Sequence, residues 1–172
     1  MRLFLLLTFF CLPALVLGQS AVTVRGPAGV NGSDGADAPT AIFVSAYLAA
    51  NSAYSAGSNT MVFDTEAADA ASVYNNTTGV MTVATTGFYL VSSCIADWDG
   101  IGEQFQVSVL VEGAVLHRGN LPTTTNDDAV CVTAVVSVSA TDTIAIQLDN
   151  FSSGMTVRGG QDRTWLNIVG PL

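Results

Sequence analysis

From Phe105 to Val111 every second residue is a bulky apolar one: Phe105, Val107, Val109 and Val111. Gln104 precedes them, and Gln106 and Ser108 fall between. A period of two puts one side of a strand on a core and the other in water, and it does not fit a helix. The same rhythm returns in Val130, Val132, Ala134, Val136 and Val138, and again in Ile144, Ile146 and Leu148. Turn chemistry separates the runs: Glu112-Gly113 after the first and Ala140-Thr141-Asp142 before the last. The stretch from Val73 to Val91 carries two further turns, one built on Asn75, Asn76 and Gly79 and one on Gly87. Asn side chains bond nearby backbone, and glycine supplies angles that a Cβ disfavours.

The remaining strands are predicted at 41–47, 61–63, 80–84, 88–96, 114–116 and 163–169. Residues 48–60, 117–128 and 150–161 read as loops, the first with room for a small strand. Residues 67–72 are alanine-rich, but six residues without caps or apolar periodicity do not make a helix. About eight to ten short strands and no helix predict an all-β antiparallel sandwich or jelly roll.

Ahead of the strands lie two segments of different character. Residues 1–18 read as a secretory signal: Arg2, an apolar run from Leu3 to Leu17, and small Val16 and Gly18 before Gln19. That run is short for a membrane span. Residues 19–40 form a second segment, with glycine at 26, 29, 32 and 35. This is the collagen period, in which only glycine fits the axis of three chains. Ala38 stands where the next glycine belongs. Four triplets read equally as a flexible linker or as a stub that winds only if the next domain holds three chains together. Residues 41–172 are the expected globular domain.

Beyond the signal, four arginines, no lysine and fourteen acids leave a net charge of −10. Bulk electrostatics then exclude nucleic acid and anionic membrane as partners, and leave calcium, basic partners or plain solubility. Cys94 and Cys131 remain once Cys11 leaves with the signal. In an oxidising compartment they either form a bridge or stay as two buried thiols, a choice that geometry makes. Catalysis is not expected. His117 is the one histidine, it sits in a loop, and no Gly-x-Ser-x-Gly motif or His/Cys metal spacing accompanies it.

Several pieces in order resemble the globular head of complement C1q and the wider C1q/TNF superfamily. They are Ala41-Ile42-Phe43-Val44-Ser45-Ala46, Val62-Phe63-Asp64, Tyr74-Asn75-Asn76-Thr77-Thr78-Gly79-Val80-Met81-Thr82 and Gly87-Phe88-Tyr89-Leu90-Val91. Val109-Leu110-Val111-Glu112-Gly113, Val135-Val136-Ser137-Val138 and Asp142-Thr143-Ile144 follow. The short collagen-like run and the closing Arg163 to Leu172 depart from the family pattern and mark a divergent member. The resemblance implies a ten-stranded jelly roll assembled as a homotrimer. Strands apolar on both faces fit that, since one outer face would be covered by neighbours. Tyr47, Phe88, Tyr89, Leu90, Val91, Trp165 and Leu166 are the candidates for the shared core.

The resemblance also implies calcium near the trimer apex, in the loop at 117–129. Asn126, Asp127 and Asp128 supply the hard oxygen donors calcium takes. Asp97 and Asp99, flanking Trp98, are expected mainly to cap a turn. Sequons begin at Asn31, Asn75, Asn76 and Asn150. Asn31 and Asn150 fall in predicted exposed segments and are the expected glycosylation sites; Asn75 and Asn76 are expected to serve the turn. Three functions follow: a secreted trimeric recognition protein for carbohydrate or protein on cell or microbial surfaces, an acidic calcium-binding matrix trimer, and a cytokine-like receptor ligand.

Overall fold

The computed structural model describes residues 40–98, 104–119 and 128–172. The expected signal and collagen-like segments lie outside the described residues, and one compact unit runs from Ala38 to Leu172. Its strands are β1 (Ile42–Tyr47), β2 (Ser52–Thr60), β3 (Thr65–Asp69), β4 (Tyr74–Asn75), β5 (Val80–Thr82) and β6 (Gly87–Ala96). They continue as β7 (Phe105–Val111), β8 (Ala114–Arg118), β9 (Ala129–Val138), β10 (Thr143–Val157) and β11 (Trp165–Gly170). Two antiparallel sheets result. Sheet A has the order β3-β1-β11-β6-β9, and sheet B the order β4-β5-β10-β7-β8, with β2 also paired to β10. This is the all-β jelly-roll sandwich that the alternating runs predict.

The period of two decides which side chains meet. Val44, Tyr89, Val91, Leu166 and Ile168 of sheet A face Val107, Val109, Ile144, Ile146 and Leu148 of sheet B in one buried core. Burying each such side chain is worth roughly 1.5–3 kcal/mol, so a one-residue slip in any strand would lose most of the core. Two full-length aromatics are buried with their hydroxyls satisfied. Tyr89 donates to the Thr85 carbonyl at 2.8 Å, and the Tyr74 hydroxyl accepts from the Phe63 amide at 3.1 Å.

Three local predictions are corrected. Residues 52–60 form a full strand, and 150–157 extend β10 rather than form a loop; the two pair with each other across a bulge between Asn150 and Gly154. Small polar residues mask the period there; the backbone ladder, with Met155 and Val157 turned into the core and Tyr54 packed against it, makes them strands. Met61 and Phe63, predicted as a strand, are fully buried without joining one. The Met61 amide bonds the Ile146 carbonyl at 2.8 Å and anchors them as a plug in the core. Residues 65–69 pair with β1 as an edge strand.

The Asn-rich turn is as tight as its residues predict. The Asn75 carbonyl accepts from the Gly79 amide at 2.8 Å, and its side-chain Oδ1 accepts from the amides of Thr77 and Thr78. Gly79 has φ +75°, and a Cβ there would lie 2.1 Å from the Met61 carbonyl oxygen. Ile42 pairs with Gly170. Both termini of the described domain therefore leave from one end of the sandwich, and the loops at 48–51 and 158–164 lie at the other.

Candidate assembly face and loop-end site

The outward face of sheet A is ordered in rows across the strands. Phe43 pairs with Val169, Val169 with Leu90, and Leu90 with Val135, giving an apolar row over four strands. Phe88 lies one step toward the termini. In the single chain Phe43, Phe88 and Val135 are 48%, 56% and 52% exposed. The next outward row is polar: Ser45, Asn167, Ser92 and Thr133, the last two hydrogen-bonded at 2.8 Å. Beyond it come Tyr47, Trp165, Cys94 and Cys131.

This geometry divides the seven residues expected in a shared core. Tyr47, Leu90 and Trp165 are half-buried on the outer face and Phe88 is exposed there. Tyr89, Val91 and Leu166 fill the chain's own core, at 0%, 0% and 1% exposure, so the expectation that they meet a neighbour is corrected. Each lies between two outward residues, and the period of two turns it inward. Phe43, Val135 and Val169 belong with the outward group and were missed. Their signal was the cross-strand register, which no single strand displays.

Cys94 and Cys131 are directly opposed on β6 and β9 and are joined by a disulfide, with Cα atoms 4.1 Å apart. They stand on the outward face, not in the core. Such a bond persists in an oxidising compartment.

At the end away from the termini, β6 continues past Ala96 and joins the two sheets. The Asp97 amide bonds the Asp128 carbonyl, the Trp98 amide the Thr156 carbonyl, and the Arg158 amide the Ala96 carbonyl, all at 2.8–2.9 Å. Asp97 is fully buried. The Arg158 guanidinium lies 4.7 Å from the centroid of the Trp98 ring, and Trp98 is still 47% exposed. A flat aromatic backed by a cation, beside buried acid, offers a stacking surface for a planar or sugar-like ligand.

Of the calcium set, Asp128 is half-buried, while Asn126 and Asp127 lie outside the described residues, as does Asp99. Among the described residues no group of three or more His, Cys, Asp or Glu is placed to hold a metal ion. His117 sits exposed on β8, opposite Val109, rather than in a loop. Asn31 lies outside the described residues. Asn150 is 2% exposed; its Nδ2 donates to the carbonyls of Tyr54 and Ser55, and its Oδ1 accepts from the Ser152 amide. The expectation that Asn150 carries a glycan is corrected, because β2 occupies the space a sugar needs.

No family model matches the chain, and no curated protein matches it. Solved structures do. Eiger TNF from S. frugiperda matches at 17% identity over 77% of this chain and 92% of that one, with a TM-score of 0.61. Murine APRIL matches at 15% identity over 77% of this chain and all of that one, with a TM-score of 0.60. The globular domain of zebrafish complement 1qA protein aligns at 16% identity over 74% and 94%, with a TM-score of 0.47, too low to carry an argument. At these identities the likeness is one of fold: the chain has a jelly roll like that of Eiger TNF and APRIL. Among the described residues no helix is long and apolar enough to cross a membrane.

Proposed function

We propose that this chain is a secreted, non-enzymatic recognition protein that works as a homotrimer and binds carbohydrate or protein ligands at its loop end. The observation that carries the reading is the apolar row Phe43-Val169-Leu90-Val135 on the outside of sheet A, with Phe88 beside it. An exposed, contiguous apolar patch on a sheet face marks an interaction surface. The disulfide supports secretion, and the Trp98–Arg158 stack supports ligand contact at the loops. Trimerisation would set three such weak sites side by side, and linked sites bind far more tightly than single ones.

Calcium belongs to the same proposal, with Asn126, Asp127 and Asp128 as its ligands. The described residues supply one carboxylate of the set, Asp128. A net charge near −10 per chain is what a calcium-binding matrix trimer would also carry, and that is the second reading.

Light scattering on the mature protein, in calcium and in chelator, tests the assembly. A mass of three chains in both media supports the trimer and makes calcium secondary. A trimer that dissociates only in chelator supports calcium on the axis. A monomer in both sinks the reading. Binding to a glycan array that W98A abolishes supports recognition at the loops. Accumulation in insoluble matrix with no array binding favours the second reading.

A further inference from the structure

The four sequons are not equivalent once their side chains are placed. Asn150 is sealed under β2 and uses both ends of its amide. Asn75 and Asn76 overlap, each followed two residues on by a threonine (Thr77 and Thr78), and adjacent asparagines leave room for one bulky sugar. Asn75 is pinned to the turn: its Oδ1 takes the amides of Thr77 at 2.9 Å and Thr78 at 3.1 Å, which fixes where its Nδ2, the atom a sugar joins, must sit. Asn76 is exposed, as Asn75 is, but among the described residues no hydrogen bond of the Asn76 side chain is seen. Thr77 and Thr78 are exposed beside it. The turn joins β4 to β5, and β4 is the outermost strand on that edge of sheet B.

From this we infer that Asn76 is an N-glycosylation site and the occupied one of the overlapping pair, which rests on the reading that the chain is secreted. The co-reactant is an oligosaccharide linked through C1 to a polyprenyl pyrophosphate. The Asn76 Nδ2–C1 bond forms, the C1–oxygen bond to pyrophosphate breaks, the lipid pyrophosphate leaves, and one amide proton passes to base. Transfer precedes folding, so the fold acts as a filter. A sugar on Asn76 stays in solvent on an open sheet edge, whereas one on Asn150 would keep β2 from pairing. The proposed assembly face is the outside of sheet A, and the glycan is on sheet B. It would also cover an edge strand that otherwise presents free backbone to other chains.

The test is site mapping on the full chain expressed in eukaryotic cells. Glycopeptides from the medium are released by amidase in heavy-oxygen water, which leaves labelled aspartate where a glycan stood. The expected result is label at Asn76 and none at Asn150 or Asn75. T78A removes the Asn76 sequon alone and keeps the backbone donors of the turn, so the label at Asn76 and one glycan's mass should vanish. T77A removes only the Asn75 sequon and should leave the label in place. Secreted protein with an unlabelled Asn76 peptide, or with the label on Asn75, overturns this inference and spares the secreted reading. A chain retained in the cytosol without glycan overturns both.

Discussion

Gly79 and Gly113 share a backbone conformation and differ in surroundings, which separates strain from collision. Their φ angles are +75° and +74°, but a Cβ at Gly113 meets nothing within 4 Å, while one at Gly79 strikes the Met61 carbonyl. G113A should cost about 1 kcal/mol, the left-handed penalty alone. G79A should cost on the order of 3 kcal/mol, because the Met61 backbone holding the core plug has to move. Urea midpoints for both variants measure the difference; equal costs would mean that the turn yields freely. Tyr74 carries a second prediction. Burial pushes its hydroxyl up to about 12, and burial also raises Tyr89. A folded pKa above the unfolded value of 10 means the native state holds its proton longer. Stability present below pH 10 is therefore lost as pH rises toward 12. Unfolding in urea across that window should show the fall, and Y74F should lessen it, Tyr89 keeping the remainder, while weakening the protein at neutral pH by the lost acceptor for Phe63. The sequence announced the turn through its asparagines and glycine, but not which asparagine would serve it, since that depends on which side chain reaches the amides of Thr77 and Thr78.

At the scale of strands, the legible ones are those with a bulky period. β7, β9 and the first half of β10 were visible because each buries a face of bulky apolar residues, although in β7 Ser108 and Leu110 of the opposite face are buried too. β2 and the second half of β10 were not. Ser52–Thr60 holds serine, alanine, glycine and asparagine, and its order comes from a partner about a hundred residues away. The loop-end site is harder to read for the same reason: Trp98 and Arg158 meet only because β6 runs on past its sheet to reach β10. The disulfide lies between β6 and β9, two strands already paired along their length. Closing a loop of 37 residues limits the unfolded chain more than it alters the folded one. C94S/C131S should therefore lose about 2–4 kcal/mol in denaturant yet keep the native near-ultraviolet spectrum. Collapse of that spectrum at neutral pH would instead make the bond a condition for the β6–β9 pairing.

For the whole molecule the decisive question is what covers sheet A. Val135 contributes nothing to the single chain's core, being 52% exposed on edge strand β9. V135E should therefore leave the fold intact and put a charge into the apolar row. The expected result is a monomer by light scattering with an unchanged melting curve at low concentration. A trimer unaffected by V135E would move the interface off this face. Charged residues there would be repelled further by a chain already at −10, so the substitution works by both desolvation and repulsion.

Ile42 and Gly170 stand side by side, so the first and last strands share a doorstep. A short bridge between Thr40 and Leu172 would close the domain into a ring, and the ring could be cut open at Gly113, where the chain turns in free space. Such a permuted chain keeps every strand neighbour while moving both cut ends to another corner. Equally, a bead or chip coupled through Leu172 would hold the domain by the side that does not carry Trp98, leaving that ring to meet whatever is washed over it.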